Sequence, residues 1–74
     1  MIDSFIRYSL SKQRKIRAML LLDGQLVQKN VTVLALDEMA ALATLKISAK
    51  KTPVTVPLAD ILSCDYARGD HGEE

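Results

Sequence analysis

The residues best equipped for catalysis are few and poorly placed for it. His71 is the sole histidine and Cys64 the sole cysteine. A general base must be held within hydrogen-bond reach of the proton it takes. His71 lies in RGDHGEE, which reads as a mobile polar tail beyond the last strand. Cys64 alternates with apolar neighbours and has no basic residue close in sequence to lower its pKa, so it reads as a small core residue. Asp23, Asp37 and Asp60 each fall at a turn, where aspartate serves backbone geometry. The glycines at 24, 69 and 72 are too scattered to cradle a phosphate. No Cys/His cluster has the spacing of metal ligands, and no cofactor motif is present. These patterns argue against an enzyme. Arg68-Gly69-Asp70 spells a short cell-adhesion tripeptide, a match that chance produces readily.

Binding chemistry is better represented. Lys12, Arg14, Lys15 and Arg17 put four cations in six residues. Such a cluster can meet phosphates, because each neutralised phosphate releases counterions. The same residues also suit a solvated linker and strand start. Single-strand binders add aromatic platforms for the bases, and the chain has only Phe5, Tyr8 and Tyr66 to offer. The net charge of +1 hides an asymmetry: residues 1–17 are basic and residues 60–74 acidic.

Seventy-four residues make one domain, expected over residues 1–67, with 68–74 as a mobile acidic tail. Chains this short often gain stability from disulfides, metals or association, and a lone cysteine excludes an internal disulfide. Apolar residues make up 49% of the chain and aromatics only 4%. A small domain cannot hide that many aliphatics in one core, so a homo-oligomer, most simply a dimer, is expected. No apolar run approaches a membrane span and the first residues lack a signal-peptide pattern, which makes cytoplasmic the expected location.

The elements follow from periodicity. Residues 3–11 read as a short helix capped by Asp3 or Ser4, with Ile2, Phe5, Ile6, Ser9 and Leu10 on one side. So short a helix must dock on something. Lys15–Leu22 and Gln25–Leu36 flank Asp23-Gly24, the pair that best tolerates the positive φ of a two-residue hairpin turn. That turn pairs Leu22 with Gln25, Leu20 with Val27, Ala18 with Lys29 and Ile16 with Val31. Lys29 on an otherwise apolar face suggests a bend or bulge near residues 28–30. Met19, Leu21, Leu26, Leu34 and Leu36 then need cover on the other face, which makes them the candidate interface. Residues 37–47 divide the evidence: composition favours a helix, alternation a strand. A strand from about residue 40 is the better fit, with Asp37-Glu38 as the turn before it. A turn over 49–52 leads to a short strand between Pro53 and Pro57, which belongs at an edge. One helical turn over 57–61 and a final strand over 62–67 complete the chain. The fold class expected is mainly β: an N-terminal helix followed by a five-stranded small barrel.

That order of elements, and the segments KIRAMLLLDGQLVQKNVTVLAL and TVPLADIL, resemble the Sm-like small barrels and, among them, the WYL domain of bacterial regulators. The resemblance covers under half of the chain. It implies a barrel that binds nucleic acid or nucleotide-type ligands and controls a partner domain. MAALAT stands where the family's Trp-Tyr-Leu signature would fall, Leu20 replaces a common strand-one tyrosine, and Pro57 and Asp60 stand near the usual arginines. Two functions remain open. One is a non-enzymatic interaction module that self-associates or docks on a protein, favoured by the aliphatic surplus. The other is a regulatory module binding nucleic acid or nucleotide through residues 12–17, favoured by the charge cluster and the resemblance.

Overall fold

The computed structural model describes residues 2–70, except the side chains of Ile2 and Asp3; His71 and the rest of the acidic tail lie outside the described residues. Helix α1 runs Ile2–Lys12, followed by strands β1 (Ile16–Leu22), β2 (Gln25–Asp37), β3 (Leu42–Ile47) and β4 (Val54–Pro57). A 3-10 turn, η1 (Leu58–Asp60), leads into β5 (Ile61–Tyr66). The helix begins before the expected caps, so Asp3 and Ser4 lie in its first turn. Its last residue, Lys12, is followed by Gln13 at φ 55°, the left-handed conformation that ends a helix.

All neighbouring strands pair antiparallel, in the order β4-β3-β2-β1-β5. The β1–β2 register is the expected one, from Leu22 opposite Gln25 to Ile16 opposite Val31. Its cause is visible at the turn, where Asp23 (φ 51°) and Gly24 (φ 77°) both take positive φ. Residues 38–41 form the next turn, in which the Asp37 carboxylate accepts a hydrogen bond from the Ala40 N–H (3.0 Å) and Ala41 takes φ 56°. Alternate burial of Ala43, Leu45 and Ile47 then outweighs the helix propensity of this segment and makes it a strand.

The outer strands β4 and β5 are the edges, and no ladder between them closes the sheet among the described residues. The fold is therefore an open sheet, and a strongly curled one. Flat, its edges would lie about 19 Å apart, at ~4.8 Å per strand. The four-residue step from Pro57 to Ile61 spans at most about 14 Å. The edges must bend toward each other, enclosing Ile16, Ala18, Leu20, Val31, Val33, Ala43, Leu45, Ile47, Val56 and Ile61. The helix covers one end of this trough, with Ile6 buried among those residues and Phe5 and Tyr8 meeting Tyr66 edge to face.

Two bulges shape the sheet, and neither is at residues 28–30, where the β1–β2 ladder is regular. In β2 the extra residue is Leu34, between Val33 opposite Leu45 and Ala35 opposite Thr44. In β5 it is Leu62, between Ile61 opposite Leu20 and Ser63 opposite Met19. The first inverts the alternation of β2, so Leu36, expected outside, lies opposite Ala43 and packs against the core. Lys29 needs no bulge. β3 pairs with β2 only from Val31 onward, so Lys29 lies on a stretch of β2 with no strand on its far side, and it is exposed.

Where β1 ends, a side chain continues its ladder. The next hydrogen-bonded pair after Ile16–Val31 would be Arg14 with Val33. Instead the fully buried Ser9 hydroxyl bridges them: it donates to the Arg14 carbonyl (2.6 Å) and accepts from the Val33 N–H (2.9 Å). The Gln13 side-chain amide donates to the Val33 carbonyl (3.3 Å). Ser9 thus joins helix, linker and sheet.

Candidate functional site

The chemistry foreseen for the cationic segment is largely answered from within the fold. Because β5 pairs with β1, the acidic back of the chain lies beside its basic front. Arg17 bonds Asp65 (3.2 Å) and Arg14 reaches Asp70 (3.5 Å). Asp70 also accepts the Tyr8 hydroxyl at 2.7 and 2.9 Å, and its N–H bonds the Ala67 carbonyl, so the chain folds back onto the helix as far as residue 70. Partial burial, then the hydrogen bond to Asp70, push the Tyr8 phenol above its ordinary pKa. Cys64 lies half-buried opposite Ala18, and burial pushes its thiol up to about 11, far from the range of a reactive thiolate. Among the described residues no group of acids, cysteines and histidines could hold a metal ion.

Lys15 differs from its neighbours. One further step of the β1–β2 register puts it opposite Thr32, and Thr32 lies opposite Lys46. These residues, with Ile47, Ser48, Ala49 and Lys50, line a cavity of about 240 Å³ on the outer face of the sheet. The turn beneath is closed by hydrogen bonds from Ser48 N–H to Asn30 O and from Lys50 N–H to Ile47 O, both 3.0 Å. Lys46 and Lys50 are thirty and more residues from Lys15 and were not foreseen. Only the strand register brings them together.

Of the candidate interface residues, the structure assembles Met19, Leu21 and Leu26 but not Leu34 or Leu36. Leu21 lies directly opposite Leu26, with Met19 two residues along the same outer face. Leu62, thrust out by the β5 bulge beside Met19, extends the patch. Leu26 is 57% exposed and Leu62 52%. Leu34 is exposed eight residues further along β2, about 26 Å away in an extended strand. Behind the patch, on the trough side of the same hairpin, Leu22 and Val27 are only partly buried.

This hairpin arm also has an open backbone. Residues 25, 27 and 29 bond to β1, so Leu26 and Gln28 turn their N–H and C=O groups toward the side where β3 has not yet begun. The next such residue, Asn30, does find a partner, its carbonyl accepting from Ser48. The arm therefore combines an unpaired edge with apolar side chains on both faces.

No protein-family model matches the chain, and comparison with curated proteins and with solved structures gives no match. No helix among the described residues is long and apolar enough to cross a membrane.

Proposed function

We propose that this protein is a non-enzymatic interaction module whose partner is a second copy of itself, joined through the β1–β2 arm. The observation that carries this reading is the open edge of β2 at Leu26 and Gln28, flanked by Leu21, Met19 and Leu62. Unpaired strand edges are templates for strand addition, and native proteins ordinarily blunt them with proline, lysine or a covering element. Here the edge carries none of these between Gln25 and Gln28. A two-fold axis at Val27 would place Leu26 of each copy opposite Gln28 of the other, pairing all four free backbone groups on each side. The outward patch contains no charge. Along the same face the next charged residues, Arg17 and Asp65, already satisfy one another.

Gln28→Pro tests the pairing directly. It removes an N–H that faces the open side and leaves the β1 ladder bonds intact. Sedimentation at tens of micromolar should show wild type at twice 8.2 kDa, and Gln28→Pro combined with Leu26→Lys at 8.2 kDa with an unchanged far-ultraviolet spectrum. A wild-type protein that sediments at 8.2 kDa throughout would overturn the reading. The regulatory setting and the Sm-like or WYL-like kinship suggested by the order of elements remain part of this proposal.

A further inference from the structure

We infer that the cavity between Lys15, Lys46 and Lys50 is a phosphate-binding site, separate from the self-association surface at the start of β2. Lys15, Lys46 and Lys50 line one concavity together with Thr32 and Ser48, and no acidic residue is among its lining. The pairing that answers Arg14 and Arg17 is thus missing here: no ion pair is formed by Lys15, Lys46 or Lys50 among the described residues. Ammonium groups gathered without a counter-charge favour an anion that neutralises them. Every polar side chain present can donate, which suits a phosphate's several acceptor oxygens.

Size and the aromatic inventory narrow the ligand further. A volume of 240 Å³ holds about eight waters at ~30 Å³ each, enough for a phosphate group or a short phosphate chain, and lies below the ~300–1,000 Å³ of clefts that enclose whole drug-sized ligands. The three aromatic residues of the chain are packed together at the helix, Phe5 and Tyr8 each against Tyr66 at 4.9 and 5.3 Å. Among the described residues no ring lines the cavity as a platform for a base. The site therefore reads the phosphate and not the nucleobase, whether the phosphate belongs to a small molecule or to a nucleic-acid backbone.

The test is a nitrogen-15 amide titration of the whole chain with sodium triphosphate and, separately, with a twelve-nucleotide single-stranded DNA. Saturable shifts should centre on Lys15, Thr32, Lys46, Ser48 and Lys50. Three lysine–phosphate contacts give a single-strand salt slope of about −2, so affinity should fall roughly 20-fold between 50 and 200 mM salt. Lys46→Gln, an exposed position, should reduce that fall to about 7-fold by removing one contact. Binding of the strand alone assigns the phosphate to nucleic acid, and binding of triphosphate alone to a small molecule. Non-saturating shifts spread equally over Lys12, Lys29 and Arg68, or undiminished affinity in Lys46→Gln, overturn the site.

Discussion

Replacing Ser9 with alanine should damage this fold more than any other loss of a single oxygen. The hydroxyl is buried and serves two backbone groups at once, the Arg14 carbonyl at 2.6 Å and the Val33 N–H at 2.9 Å. Val33 is itself fully buried, so water cannot replace the lost acceptor, and an unsatisfied buried N–H costs about 1–3 kcal/mol. The Arg14 carbonyl belongs to an exposed residue and recovers part of its loss from solvent. Alanine, the better helix former, returns about 0.5 kcal/mol. The net expectation is a loss of about 1–3 kcal/mol. A domain of this length has only about 4–11 kcal/mol to lose. Urea unfolding at 25 °C measures the difference, and the melting temperature should drop by roughly 4–24 °C. Ser11→Ala, on the exposed side of the same helix, serves as the control and should change stability by less than about 0.5 kcal/mol. If Ser9→Ala matches Ser11→Ala, the bridge contributes nothing and the account of how β1 ends is wrong.

Backbone conformation makes a second set of predictions. Ala41 (φ 56°) and Ala49 (φ 74°) occupy a region that costs an L-residue about 1–2 kcal/mol, so glycine at either position should raise the unfolding free energy measured in urea by up to about 1 kcal/mol, net of its larger unfolded entropy. Gly24→Ala should lower it by about 1–2 kcal/mol through φ alone, since nothing lies within 4 Å of the added Cβ; an unchanged midpoint would contradict the turn assignment. The Cys64 thiol should resist alkylation at pH 8 in the folded chain and react readily in urea. The unfolded chain releases that proton near pH 9.0 and the folded chain holds it to about 11, so stability should decline as pH rises between those values, and a flat profile would refute the burial argument.

The hairpin was legible because a two-residue turn leaves no freedom of register: once Asp23-Gly24 is the turn, every partner from Leu22 to Ile16 follows. The strand over 42–47 was legible only through alternation, since its composition favours a helix until Ala43, Leu45 and Ile47 find a core to enter. The bulges at Leu34 and Leu62 were hidden. Neither carries the glycine that often marks a bulge, and each is a leucine that local pattern assigns to whichever face the neighbours dictate. The cationic cluster was visible as composition, but its significance depended on which strand would lie beside it. β5 supplies Asp65 to Arg17 and the residues after it bring Asp70 to Arg14, while β3 brings Lys46 to Lys15. A charge run read along the chain sees neither event.

The placement of β5 beside β1 has a consequence for synthesis. About forty residues separate the end of β1 from the start of β5. At ~5–20 residues per second, the ribosome needs about 2–8 s to make them. Throughout that interval one backbone edge of β1 is open, and Ala18 and Leu20 lack the strand that will carry Cys64 and Ile61 opposite them. The β1–β2 hairpin can form in microseconds and then waits a million-fold longer, roughly, for its last neighbour. A nascent chain in this state exposes an edge of β1 that β5 covers in the finished domain. Crowded translation is therefore the moment at which wrong strand pairing threatens this protein most.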